Sequence, residues 1–348
     1  MKDSNMSESR KQKINIGLIG LGRLGKVYAC DLSRVVPSAR LVAVADTVGE
    51  MAQQVAADFD VPRWYADPLA LMDDKEVDVV VIVTPTHTHK EVVQAAAASK
   101  KAIFCEKPLS LSLEDAVAMK QAVQRSGVFF QMGFMRRFDR GYVAAKKKIE
   151  EGAIGRPVVF RATSRDPFRP SLEYANPKSS GGIIIDIGIH DIDLARWFIG
   201  EVKTVYAIGG VLAYPEMQSA GDIDNAIVSL VFADGRLGSI DMSRNGVYGY
   251  DINTEIVGTA GTLRVGYLQE TPLLVMTKNN VAHDVVPYFM ERFAGAYTSQ
   301  LQNFVENILN DRQPSATIDD GIEVLRVAIA ATNSFHARQP VNVSSVTI

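Results

Sequence analysis

The feature that most restricts how this chain can fold is the run Gly20-Leu21-Gly22-Arg23-Leu24-Gly25 and what flanks it. Upstream, Ile14 to Gly20 is an apolar run ending in glycine, as a buried strand would. Downstream, apolar residues recur at helical spacing from Leu24 to Val35, and Pro37 stops the pattern. A G-x-G-x-x-G run alone is a weak signal. Between a strand and a helix it has three uses: a tight turn, close approach of backbone to a pyrophosphate, and packing of helix on sheet. The free amides at the helix start then attract phosphates. A second strand, Leu41 to Ala45, ends at Asp46 and is followed by a helical stretch from Gly49 to Phe59. The acidic residue falls ~20 positions beyond the loop, where a carboxylate accepts hydrogen bonds from the adenine ribose hydroxyls. It would repel a 2′-phosphate, so NAD is favoured over NADP, with Arg23 the cation that would offset this.

The same alternation continues. Val77 to Val83 reads as a Val/Ile strand, Thr84-Pro85 as a turn, Lys90 to Ser99 as a helix and Ala102 to Cys105 as a short strand. Ser112 and Asp115 are spaced as an N-cap pair for a helix to Ser126, before a strand from Val128 to Gly133. Strands apolar on both faces and separated by helices predict a parallel sheet covered on both sides. Beyond Phe134, strand candidates follow one another: Val158 to Ser164, Thr204 to Gly209, Ala226 to Phe232, Leu237 to Met242 and Thr254 to Val257. Ala233-Asp234-Gly235 is a hairpin signal, and late helices are expected at Tyr297 to Asn310 and Asp319 to Arg338. The expected architecture is α/β: a polar tail over 1–13, a Rossmann dinucleotide-binding domain over 14–134, and a substrate-binding and oligomerisation domain over 135–348. The last is of α+β type, with a large, mostly antiparallel open sheet.

Composition excludes several classes. With 348 residues, 47% hydrophobic, 22% charged and a net charge of -3, the chain has the material for two cores and no footprint for nucleic acid. Lys146, Lys147 and Lys148 read as a solvated helix face. No apolar run approaches the ~18 residues of a membrane span and the first thirteen residues are polar, so a cytoplasmic protein is expected. Two cysteines, Cys30 and Cys105, offer neither a disulfide scaffold nor a metal spacing.

Two further motifs carry a resemblance. Thr84-Pro85-Thr86-His87-Thr88-His89 follows the third full strand, and Cys105-Glu106-Lys107-Pro108 the next. With the glycine loop they make the chain resemble the glucose-fructose oxidoreductase and inositol dehydrogenase (Gfo/Idh/MocA) family over almost all of its length after residue 13. That resemblance implies that Gly20, Gly22, Arg23, Leu24, Gly25, Asp46, Thr84, Pro85, His89, Glu106 and Lys107 line the cofactor. It also implies that Lys107 of the E-K-P motif lies beside the nicotinamide ribose and the reacting hydroxyl. A cation at the C-terminal edge of a parallel strand points into the crevice where such sheets bind ligands, and stabilises developing alkoxide charge. His87 and His89 read as loop architecture; His283 and His336 carry no motif.

In the second domain, the stretch Gly181 to Asp191 reads as a strand by its Ile repeats alone. By resemblance it begins a helix to Trp197 that carries Asp186 and His190. On one helix the i and i+4 positions share a face, bringing carboxylate and imidazole together. Lys107, Asp186 and His190 are thus the candidate catalytic residues: His190 as general base, Asp186 as its orienting partner, Lys107 as stabiliser of the reacting oxygen. A metal reading of Asp186 and His190 lacks a third ligand.

Gly133 to Asp139, Ser164-Arg165-Asp166-Pro167, Tyr248 to Asp251 and Ala296-Tyr297 resemble segments of inositol dehydrogenases. This implies NAD-dependent oxidation of a ring hydroxyl of myo- or scyllo-inositol, with Lys107, Asp166, Asp186, His190, Tyr250 and Tyr297 as substrate contacts. Ser164, Asp166 and Ile187 depart from the pattern of some myo-inositol dehydrogenases, which implies an altered isomer preference. Family likeness also implies a homotetramer built on the open face of the second sheet. A pyranose sugar dehydrogenase, an NAD-dependent glycosidase and a non-enzymatic NAD-binding sensor stay open as alternatives.

Overall fold

The computed structural model describes residues 13–348; apart from Lys13, the tail read over 1–13 lies outside them. Strands β1 (Ile14–Ile19), β2 (Ala39–Ala45), β3 (Arg63–Tyr65), β4 (Val79–Ile82), β5 (Ala102–Glu106) and β6 (Phe130–Gly133) form a 6-stranded sheet in the order β3-β2-β1-β4-β5-β6. All of its neighbours pair in parallel. The central strands are sealed on both faces, with all of β4 buried, because helices cover the sheet on each side. Ser112 caps the helix Leu113–Ser126, its hydroxyl accepting from the amide of Asp115 at 3.4 Å. The helix expected to run regularly to Val35 does so only from Arg23 to Cys30, then widens into a π-helical turn over Asp31–Val35. The strand order reverses between β1 and β4. The carboxyl ends of these strands and of β5, bearing Gly20, Thr84 and Lys107, therefore border a crevice.

The second sheet contains β7 (Pro157–Arg165), β8 (Val202–Gly210), β9 (Asn225–Phe232), β10 (Leu237–Ser243), β11 (Asp251–Gly258) and β12 (Thr262–Gly266). A detached pair, β13 (Val275–Met276) and β14 (Val281–Ala282), precedes the short β15 (Val341–Asn342). The 7-stranded order is β12-β11-β7-β10-β9-β8-β15, antiparallel except where β10 lies parallel to β7. One face is the core: Ala226, Val228, Leu230 and Phe232 of β9 are buried while Ile227 and Val231 between them are exposed.

The helix Ile318–Ala337 backs this sheet, Ser334 accepting from the amide of Ala207 at 3.1 Å. It starts in a capping box between Thr317 and Asp320. Near its start, a Cβ at Gly321 would lie 3.2 Å from Leu109 and Met132, so the helix also packs on the first sheet's end. The helix Phe289–Leu309, which begins a full two turns earlier than its apolar spacing suggested, likewise reaches back, stacking Phe304 on Phe104 at 5.5 Å. The Ile-rich segment is helical, as the resemblance implied, but in two pieces, Gly182–Asp186 and Gly188–Phe198, separated at Ile187. Among the described residues no helix is long and apolar enough to cross a membrane, and no cluster of three or more His, Cys, Asp or Glu is set to hold a metal ion.

Candidate active site

The glycine loop is built as its sequence requires. Gly20 has φ +91°, and a Cβ there would sit 2.6 Å from the carbonyl of Val83. A Cβ at Gly25 would collide with the carbonyl oxygen of Gly20. Gly22 is the N-cap of the helix Arg23–Cys30, no side chain caps that end, and nothing lies within 4 Å of where its Cβ would be. The result is an open cradle of unpaired helix amides, the surface a pyrophosphate needs. Asp46, just past β2, stands beside it. One carboxylate oxygen accepts from the amide of Leu21 at 2.8 Å and the other from Val48 at 2.9 Å, which fixes the charge at the rim. Arg23 leaves the loop towards the second domain and lies over the rings of Tyr288 and Phe289, 5.9 and 5.6 Å from their centroids.

Thr84 and Pro85 turn away from β4, and His89 ties that turn to the one after β5. Its buried ring places Nε2 3.0 Å from the carbonyl of Thr84 and Nδ1 3.0 Å from that of Pro108. Burial pushes its pKa down against the pull of these carbonyls. The carboxyl group of Glu106 lies in the interior, where it accepts from the Tyr28 hydroxyl, from Gln300 at 3.1 Å and from the Lys107 amide at 3.1 Å. Burial raises its pKa. Of the motif's side chains, only Lys107 reaches into the crevice.

Lys107 donates to the backbone carbonyl of Asp186 at 3.1 Å, with the carboxylate of the same residue 3.9 Å away. That carboxylate is held on both sides: Oδ1 accepts from the Tyr174 hydroxyl at 3.0 Å and Oδ2 from Arg244 at 3.2 Å. His190, one turn beyond the break, is buried, and its Nδ1 has no hydrogen-bond partner. Desolvation drives its pKa well below the ordinary imidazole value, and the charges of Lys107 and Arg136 push the same way. Here the expectation of one continuous helical face needs correction. The helix is interrupted at Ile187, and Asp186 spends both oxygens on Tyr174 and Arg244, so it does not orient His190 by a hydrogen bond.

Asp166 follows β7, its backbone pinned to Ser243 and Gly246. Its carboxyl pKa is pushed up to about 7 by burial and by the nearby charge of Asp186, against Arg244, Lys107 and Arg136. Tyr250 is buried and stacks edge-on against Tyr288 at 5.5 Å. Tyr297 lies at the seam between domains, 6.0 Å from the ring of Tyr28 and 6.3 Å from Phe289, with Glu106 adding to the burial that raises its pKa. Ser164 and Ile187 carry no free polar group into the crevice. Ser164 donates to Asp191 at 2.6 Å and accepts from Arg136 at 3.1 Å, while Ile187 is core.

Sequence reasoning passed over Tyr174, Arg244, Asp222 and Tyr288, and the ion pairs Arg136–Asp191 (2.5 Å) and Arg137–Asp193 (2.6 Å). The pairs did leave a signal. Asp191 and Asp193 stand in apolar text, where an unpaired carboxylate would be very costly, and the adjacent Arg136 and Arg137 are the cations that answer them.

Comparison with known proteins follows the same division of the chain. Residues 14–134 match the NAD-binding Rossmann fold of an oxidoreductase family, and residues 146–343 match that family's C-terminal alpha/beta domain. The chain is 40% identical to a scyllo-inositol 2-dehydrogenase (NAD(+)) of Bacillus subtilis, over 95% of this chain and 96% of the other. It is 38% identical to a myo-inositol 2-dehydrogenase of Thermotoga maritima, over 96% and 99%. The crystal structure of scyllo-inositol dehydrogenase from Lactobacillus casei with bound NAD(H) and scyllo-inositol superposes with a TM-score of 0.91 at 33% identity, over 96% of this chain and all of that one.

Proposed function

Since the chain belongs to the Gfo/Idh/MocA oxidoreductase family, we propose that it oxidises a ring hydroxyl of scyllo- or myo-inositol to the inosose, with NAD as hydride acceptor. The observation that carries this reading is the meeting of Lys107 and Asp186 at the carboxyl edge of the first sheet, beside an imidazole kept neutral by burial. NAD, when bound, supplies the nicotinamide that takes the hydride. The amides after Gly22 would hold its pyrophosphate, Asp46 its adenine ribose, and the turns at Thr84 and Lys107 the rest of its length.

Lys107 donates from Nζ to the substrate oxygen and stabilises the alkoxide that forms as the proton departs. His190 receives that proton at Nε2, because Nδ1 is sealed within the protein. The carbon then gives up its hydride and becomes a ketone, so one proton and one hydride leave for each inosose formed. Asp186 holds the lysine by its carbonyl and offers its carboxylate edge to a neighbouring hydroxyl. Asp166 and Tyr250 supply further polar groups.

The charge pattern supports a neutral substrate. Arg136, Arg137 and Arg244 each face a carboxylate of their own, Asp191, Asp193 and Asp186, and Arg23 lies over the Tyr288 and Phe289 rings at the glycine loop, so none of these four is set to bind the carboxylate of a hydroxy acid. Departures at Ser164 and Ile187 are accounted for by packing, and isomer choice rests on Asp166 and its neighbours. For assembly, the outward stripe of Tyr206, Ile208, Ile227, Val231 and Leu237 on β8, β9 and β10 suits burial between copies in a homotetramer, read by light scattering. The direct test of the reaction is to incubate the protein with NAD and scyllo- or myo-inositol and identify both NADH and the inosose. Cleavage of an aryl glycoside without net NADH would instead support glycosidase chemistry.

A further inference from the structure

Arg244, the residue after β10, is 0% exposed. Its Nη2 lies between two carboxylates, 3.2 Å from Asp186 Oδ2 and 3.5 Å from Asp222 Oδ2, while Nε and Nη1 have no partner. Asp222 in turn accepts from the amide of Ile183, at 3.2 and 3.1 Å to its two oxygens. Ile183 is the second residue, and Asp186 the last, of the five-residue helix Gly182–Asp186. A helix this short cannot hold its own shape, since it fixes several residues for one or two internal bonds. Both of its ends are instead tied to the one guanidinium, directly at Asp186 and through Asp222 at Ile183.

We propose that Arg244 is a positioning residue for the reaction: it fixes the carboxylate of Asp186 and the short helix beneath it, and so leaves the Lys107 ammonium free for the substrate oxygen. The inference rests on the reading of Lys107 and Asp186 as the reacting pair. Lys107 Nζ already lies 3.9 Å from Asp186 Oδ1 and is bonded to the same residue's carbonyl. With Oδ2 released from Arg244, only the Tyr174 hydroxyl on Oδ1 still holds the carboxylate, which can pivot about that bond onto the ammonium and form a close ion pair. The lysine would then be spent on Asp186 instead of the alkoxide. Arg244 also balances charge in the cleft, where Asp166, Asp186 and Asp222 gather around Lys107 and Arg244. Asp166 is faced by Asp186, Arg244, Lys107, Arg136, Tyr250 and Tyr288, and Arg244 is the foremost of the cations that hold its pKa down.

The experiment compares Arg244→Gln, Arg244→Lys and Asp222→Asn with the wild type, in steady-state kinetics from pH 5 to 9, NAD titration and crystal structures. In Arg244→Gln, kcat is expected to fall roughly 100-fold, the cost of misplacing a reacting group by about 1 Å, while NAD affinity stays within threefold. The pH at which KM changes should move upward in Arg244→Gln and return towards the wild-type value in Arg244→Lys. Asp222→Asn, which keeps Arg244 on Asp186 but weakens the tie at Ile183, should lower kcat to a smaller extent and serves if Arg244→Gln does not fold. The crystal structure of Arg244→Gln should place the Asp186 carboxylate against Lys107 Nζ, and that of Asp222→Asn should show the contact to the Ile183 amide lengthened. A wild-type kcat and pH profile in folded variants, or an Asp186 carboxylate that keeps its place in Arg244→Gln, overturns the proposal. Should the wild type oxidise no inositol, the reading of the substrate falls, while the position of Asp186 in the variants still decides the role of Arg244.

Discussion

Replacing Asp46 by Asn removes one charge from the rim of the cofactor cradle while leaving an oxygen to accept from the amide of Leu21 or Val48, now 2.8 and 2.9 Å away. Two effects on cofactor choice follow. The adenine ribose loses a charged acceptor for its hydroxyls, and hydrogen bonds to charged groups are worth about 1.5–3 kcal/mol against about 1 for neutral ones. A 2′-phosphate in the same place loses a repulsion. At ~5 Å a unit charge pair costs about 1 kcal/mol under full water screening and about 3 at a surface-like dielectric. Because Asp46 sits at the open end of β2 rather than in the core, the lower part of that range applies. Together the terms come to about 2 kcal/mol, or a change of about 30-fold in the ratio of kcat/KM for NAD to that for NADP. The assay is NADH or NADPH absorbance at saturating inositol, varying each dinucleotide in wild type and Asp46→Asn. The wild type should prefer NAD by at least about tenfold. Equal efficiency with NADP in the wild type, or a ratio that moves less than threefold in the variant, would refute the role given to Asp46.

Lys107→Ala and His190→Ala should each lower kcat by roughly 100-fold or more, with NAD affinity by calorimetry little changed. Because both act on one oxygen, the double variant should lose less than the product of the two. As the pKa of His190 is depressed, its imidazole stays neutral as pH falls through 6.5, so kcat should hold to well below that pH in profiles from 5 to 9. Asp166, pushed up to about 7, becomes an ionised acceptor above that pH, so KM for the polyol should fall as pH rises through 7, and Asp166→Asn should abolish that change. Asp193→Ala leaves Arg137 buried with Asp320, 3.3 Å away, as its remaining charged partner and the Ser315 carbonyl at 3.2 Å. It should cost about 3 kcal/mol in urea unfolding, the low end for breaking a buried pair.

The first domain was legible because strands buried on both faces read as continuous apolar runs, and because a glycine loop between strand and helix admits few other structures. What escaped was short or tertiary. β3, three residues at the sheet edge with an Arg and an exposed Trp, carries no run to detect. The π-helical turn after Cys30 looks like ordinary helix in a binary pattern. At the site, motifs singled out Lys107, Asp186 and His190, whereas the grip of Tyr174 and Arg244 on Asp186 depends on a short helix 12 residues away and a strand end 58 residues away. The break at Ile187 interrupts the helical face that i,i+4 spacing implied, and the glycine just after it, Gly188, is a poor helix former.

The most direct test of the account is a comparison of kcat/KM with NAD for scyllo-inositol, myo-inositol, D-chiro-inositol, glucose and lactate, all with one preparation at one pH. An inositol should lead the series, with the inositol isomers well separated because buried polar groups go unpaired against the wrong hydroxyl pattern. Lactate should be inert, as Arg136, Arg137 and Arg244 are each matched by a carboxylate and Arg23 lies over the Tyr288 and Phe289 rings. An aldose that outperforms every inositol, or turnover of lactate, would contradict it.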